Sequence, residues 1–225
     1  SMGLDKLGNM FARREGTDPT LLPVMIGSHL DTQPTGGKYD GVLGVLAGLE
    51  IIRTLNDTGI KTKHPIEVVN WTNEEGARFS PPMMASSVFA GMYTTEWVYD
   101  REDADGKTVG EELARIGWVG DEDVGARKMA AFFELHIEQG PILENENIDV
   151  GVVTHGQGLN WLQVTLTGKS SHTGSTPMPN RVNAGLGMAR ITQLVDDIAL
   201  SHAPLAVGAV GHCDIYPNSR NIIPG

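Results

Sequence analysis

The chain has 225 residues, 40% hydrophobic and 20% charged, enough for one large domain or two small ones. A net charge of −11 argues against nucleic acid or an anionic membrane surface as partner, since both call for basic patches. No window is apolar for long enough to span a bilayer, and a single cysteine, Cys213, excludes an internal disulfide framework and makes a reducing, cytoplasmic compartment the expectation.

In chain order, "SMGLDKLGN" has neither the apolar core nor the cleavage site of a signal peptide, and Ser1-Met2 reads as a cloning remnant. Residues 21–32, "LLPVMIGSHLDT", read as a buried strand running into a polar turn. Residues 36–57 open with glycines and become a helix whose apolar face is Val42, Val45, Leu46, Leu49, Ile52 and Leu55. Residues 64–73, "HPIEVVNWTN", are the next strand, which makes a βαβ unit and predicts a parallel or mixed sheet. Residues 82–118 read as helical and irregular, with "GEELARIG" a short helix stopped by Gly117. Apolar strands are expected in 129–140 and 147–158, the second with a glycine-rich exit. Beyond Gly158 the pattern alternates: a half-exposed strand at 159–170, an amphipathic helix at 180–202 and a strand at 205–217. That predicts two domains, 1–158 and 159–225, the second a small α+β unit with one sheet face open.

Polar clusters close the predicted strands: His29 and Asp31 in "GSHLDT", Asp40 in "YDG", Glu74 and Glu75 in "NWTNEEGARF", and His136 in "LHIEQG". In a parallel α/β sheet ligands bind beyond the carboxyl ends of the strands, so these clusters are candidates for one site. A lone histidine at a strand end is more often simply hydrogen-bonded, and a lone Glu-Glu pair is usually a solvated surface. Four such clusters in order carry more weight, because His, Asp, Glu and His together form a ligand set for Zn²⁺ or Mn²⁺. An Asp two residues after a ligand His can hold the imidazole by its other nitrogen. "GGKYDGVLG" lacks the Lys-Ser/Thr ending of a phosphate loop. Ser170-Ser171-His172 has no Gly-x-Ser-x-Gly elbow. Cys213 and the Met83-Met84 pair are expected to be packing residues.

Taken together, "GSHLDT…GGKYDGVLGVLAGLE", "NWTNEEGARF", "ELHIEQGPILE" and "SHTGSTPMPNRVNAG" resemble the metal-dependent amidohydrolase branch of the M20 peptidase family. That branch holds N-carbamoyl-L-amino acid amidohydrolases, β-ureidopropionases and allantoate amidohydrolases. The resemblance implies an α/β, mixed-sheet, metallopeptidase-like catalytic domain, incomplete at its C-terminus, and a smaller α+β ferredoxin-like lid and dimerisation domain. It implies two divalent ions, Zn or Mn, with Co or Ni also accepted. His29 and His136 would ligate one ion, Asp40 would bridge both, and Glu75 would ligate the other. Glu74 would be the general base, and Asp31 would buttress His29. His172 would stabilise the developing oxyanion, with Asn221 and Gln139 binding substrate. The substrate would be a small N-carbamoyl-L-amino acid or a related ureido compound, and the protein a homodimer. The family takes a last ligand His and a substrate-binding Arg from beyond "NIIPG", so a fragment with exposed apolar edges is also expected. A non-catalytic dimerising relative is the rival reading; it would have no need of a free base beside a metal ligand.

Overall fold

The computed structural model describes residues 1–225, divided into two compact units, Ser1–Val152 and Val153–Gly225. The division falls shortly before the expected boundary near Gly158.

The first unit holds β1 (Met2–Leu4), β2 (Met10–Arg14), β3 (Val24–His29), α1 (Val42–Asp57), β4 (Ile66–Trp71), α2 (Met84–Phe89), α3 (Thr95–Tyr99), α4 (Val109–Arg115), β5 (Ala131–Phe133) and α5 (Ile142–Glu146). Its five strands form one mixed sheet in the order β1-β2-β4-β3-β5. β3 pairs in parallel with both β4 and β5, while β2 runs antiparallel to β4 and β1 antiparallel to β2. The βαβ crossover predicted from the apolar periodicity is β3-α1-β4. α4 starts on a capping box: the Glu111 amide donates to Thr108 Oγ1 (3.2 Å) and the Thr108 amide to the Glu111 carboxylate (3.1 Å).

Two details differ from expectation. Helix α1 turns Gly44 and Gly48 to the sheet and leaves Leu46 and Leu49 54% and 44% exposed. The cause is close packing: a Cβ at Gly44 would lie 2.6 Å from the Leu135 carbonyl oxygen, and one at Gly48 3.0 Å from Val68. The N-terminal hairpin β1-β2 went unforeseen because "MFARR" ends in two arginines. Its pairing is secured from the side. Glu67, with a side chain only 2% exposed, takes Arg13 at 3.2 Å and Arg127 at 2.8 Å. The Arg127 guanidinium also lies over the Phe11 ring, 4.6 Å from its centroid. Phe11, Met25, Val69 and Trp71 form the core beside this network.

The second unit contains β6 (Ser171–His172), α6 (Ala184–Ser201) and β7 (Ile222–Ile223), with β6 and β7 antiparallel. The strands expected at 147–158, 159–170 and 205–217 do not form, so the ferredoxin-like sheet is absent. Val152, Leu162 and Val207 in these segments are 83–85% exposed, and none of the segments' apolar residues is buried. An alternating pattern becomes a sheet only where neighbouring strands and a buried face stabilise it. Cys213 is exposed rather than packed, and of the methionine pair only Met84 is buried.

Glu67→Ala is expected to lower the unfolding free energy by about 3 kcal/mol, the low end for breaking a buried pair because both arginines reach water. Urea denaturation followed by circular dichroism checks this. A loss below about 1 kcal/mol would mean that the network behaves as an exposed ion pair.

Candidate metal centre

Strands β4, β3 and β5 end on one edge of the sheet, with His29 in register with Trp71. The residues that follow those ends supply the candidate site. His29 closes β3 and is 2% exposed; Asp40 precedes α1 and is 7% exposed. Gly41, at φ 67°, joins Asp40 to α1, and a Cβ there would fall 2.4–2.5 Å from the His29 ring atoms.

Both imidazoles are oriented by backbone carbonyls. His29 Nδ1 lies 2.9 Å from the Asp31 carbonyl oxygen and His136 Nδ1 2.9 Å from that of Ile137. A nitrogen facing a carbonyl must be the donor, so in the neutral imidazole it is Nε2 that carries the lone pair. Both Nε2 atoms lie near Asp40 Oδ1, at 3.8 Å from His29 and 3.2 Å from His136. One ligand atom from each of the three residues lies within 4.8 Å of the other two. Adjacent ligands of a tetrahedral ion with bonds of roughly 2.0–2.1 Å stand roughly 3.3 Å apart. Two imidazole nitrogens and a carboxylate oxygen gathered this closely form a set that a divalent cation can occupy, and the imidazole-carboxylate set suits Zn, Mn, Co or Ni.

The second acid pair sits beside this triad. Asn73 at φ 54° and Gly76 at φ 64° bracket Glu74 and Glu75 in a tight turn after β4. Glu74 Oε2 is 3.4 Å from His29 Nε2. Burial pushes the Glu74 carboxyl above its ordinary pKa; His29 opposes that rise, and Glu75 and Asp31 add to it. Glu75 falls outside the three-residue cluster. Its Oε1 is buried without a hydrogen-bond partner, an orphan atom of the kind a cation would satisfy.

Asp31 acts on His29 through its carbonyl, not its carboxylate, whose Oδ1 is 3.7 Å from Nδ1. The carboxylate instead accepts the amides of Glu74 and Glu75 at 3.2 and 3.0 Å. Gln139, at φ 57°, donates its amide to Asp40 Oδ2, which leaves Oδ1 to the histidines. Gln33 was not singled out from the sequence, yet its amide donates to the Glu75 carbonyl (3.0 Å) and to Glu75 Oε2 (3.1 Å). Only a parallel register that sets 29–33 beside 71–75 reveals it.

His172 and Asn221 belong to the second unit. His172 Nδ1 accepts the amides of Gly174 (3.0 Å) and Ser175 (3.1 Å), which puts the ring proton on Nε2. The Asn221 carbonyl accepts the Thr173 amide at 3.1 Å, so the β6-β7 pair holds the two residues side by side.

Gly41→Ala is expected to displace the His29 ring and weaken divalent-ion binding at least about tenfold while the fold survives. Equilibrium dialysis with Zn²⁺, paired with far-UV circular dichroism, reads both. Unchanged affinity would mean that the ring is not seated against Gly41.

The sequence profile described as "Peptidase family M20/M25/M40" matches residues 25–216. The chain is 68% identical over 225 residues to an N-carbamoyl-L-amino-acid amidohydrolase of Rhizobium meliloti, covering 100% of this chain and 54% of the relative. It is 42% identical over 224 residues to the corresponding amidohydrolase of Geobacillus stearothermophilus, covering 98% and 54%. The crystal structure of a hydantoinase/carbamoylase family amidase from Burkholderia vietnamiensis matches with a TM-score of 0.95 at 56% identity, over 100% of this chain and 55% of that one. The chain thus spans about half the length of the curated relatives it matches. A mixed α/β sheet with a histidine-carboxylate triad at its parallel edge agrees with the profile match: the chain belongs to peptidase family M20/M25/M40.

Proposed function

We propose that the protein hydrolyses the ureido C–N bond of N-carbamoyl-L-amino acids, releasing ammonia, carbon dioxide and the free amino acid. The observation that carries this reading is the gathering of His29 Nε2, His136 Nε2 and Asp40 Oδ1 at one point of the sheet edge. The similarity to N-carbamoyl-L-amino-acid amidohydrolases supports the substrate class. His29, Asp40 and His136 would hold one divalent ion, and Asp40 and Glu75 would contribute to a second. Bound divalent ions supply Lewis acidity to a carbonyl oxygen and to water.

The chain's own groups do the rest. Glu74, half-buried with a raised pKa and close to the triad, takes the proton from the attacking water and delivers it to the departing nitrogen. His172, with its ring proton on Nε2, donates to the oxyanion that develops on the carbonyl oxygen. Asn221 and Gln139 are read as substrate-binding groups. One water adds to the ureido carbon; ammonia leaves, and the resulting carbamate loses carbon dioxide to give the amine.

The second unit is read as a lid and dimerisation domain. Helix α6 buries none of its residues, and Leu194 and Ile198 on it are 55% and 52% exposed, which supports burial against a second copy. No helix is long and apolar enough to cross a membrane; with one cysteine in 225 residues, a cytoplasmic setting is the natural reading.

The test is ammonia release from a panel of N-carbamoyl-L-amino acids by the intact protein, stripped of metal and reloaded with Zn²⁺ or Mn²⁺. Metal-dependent release is expected, and no release from any member would overturn the substrate class. Glu74→Gln is expected to keep its metal and lose turnover by about 10²–10⁴-fold; full activity would remove Glu74 as the base.

A further inference from the structure

A carboxylate has two equivalent oxygens, and a metal site gains precision when one of them is committed elsewhere. Glu75 shows that division. Oε2 accepts the Gln33 amide at 3.1 Å, and Oε1 is buried with no partner. The same Gln33 nitrogen donates to the Glu75 main-chain oxygen at 3.0 Å, so the amide grips side chain and backbone together. Two residues earlier, Asp31 accepts the main-chain amides of both Glu74 and Glu75. Four hydrogen bonds from a three-residue segment thus hold one two-residue turn. A glutamine on an exposed loop has a rotamer entropy that solvent would let it keep, and here that freedom is given up to the carboxylate.

We propose that Asp31 and Gln33 form a positioning clamp that presents Glu75 Oε1 to a divalent cation and fixes where Glu74 stands. The clamp rests on the metal-centre reading above. Gln33 is a positioning residue: it touches Glu75, not the substrate. It separates the two acids by constraint, because Glu75 is held at both its carbonyl and its carboxylate, whereas the clamp reaches Glu74 only at its main-chain amide and leaves its carboxylate beside His29.

The experiment is a Mn²⁺ or Co²⁺ titration of the intact protein, wild type against Gln33→Met, which keeps the length of the side chain and removes the donor. The result expected is two ions bound by wild type, with the affinity of the weaker site lowered about 10–100-fold in the variant and the tighter site unchanged. A Co²⁺ absorption band altered for the weaker site alone accompanies this. A variant with a lower Tm but the wild-type metal isotherm would overturn the clamp and leave Gln33 a loop-stabilising residue. Wild-type protein that binds a single ion, unchanged by the substitution, overturns it as well. Wild-type protein that binds no divalent ion overturns the metal-centre reading itself. Gln33→Asn keeps the amide but falls one methylene short; it carries the same test should Gln33→Met fold poorly, with loss of affinity expected and an unchanged isotherm again decisive against the clamp.

Discussion

The gathering of four carboxylates and two imidazoles at one sheet edge is the constraint around which the first unit is organised. Asp31, Asp40, Glu74 and Glu75 gather at one sheet edge, and the imidazoles beside them face inward with lone pairs. Carboxylates gathered in a partly buried setting repel one another. Hydrogen bonding relieves part of that strain: Asp31 is satisfied by two amides, and Asp40 Oδ2 and Glu75 Oε2 by one glutamine each. What stays without a hydrogen bond is the Glu74 carboxylate, one oxygen each of Asp40 and Glu75, and two imidazole nitrogens. Those atoms are what the proposed divalent cations would satisfy.

The rest of the unit holds those atoms in place. Parallel pairing of β3 with β4 brings His29 level with Trp71, so the two following loops lie side by side and bond to each other. The end of β4 is tied from the other side as well. Buried Asp5 accepts the amides of Leu7 and Asn9, and Asn9 accepts the amide of Thr72, two residues before Glu74. The N-terminal hairpin is therefore part of the site's support, and the Glu67–arginine network keeps that hairpin on the sheet. Gly41 contributes by absence: the space a side chain would fill belongs to the His29 ring.

Much of this was legible in the residues. Apolar periodicity located β3, α1 and β4, and the polar residues closing each strand pointed to the metal triad. The rotation of α1 was hidden because Gly44 and Gly48 carry no hydrophobic signal, yet they set the closest approach. The hairpin was hidden because Arg13 gains its place from Glu67, which also takes Arg127, a long-range contact that no local pattern encodes. Gln33 was hidden for the same reason, its function arising from a register between two strands. In the second unit the alternating segments at 159–170 and 205–217 carry a strand pattern with no core over them. Periodicity reports what a segment can bury, not whether a partner covers it.

The proposed division of labour between Glu74 and Glu75 rests on the same geometry. Adjacent in sequence, they differ in what holds them and what surrounds them. All of it depends on a cation between His29, Asp40 and His136. The most direct measurement is anomalous scattering from crystals of the intact protein grown with Zn²⁺, collected on both sides of the metal edge. The account predicts a peak bonded to His29 Nε2, His136 Nε2 and Asp40 Oδ1. Ordered side chains at those three residues with no anomalous peak between them would contradict it.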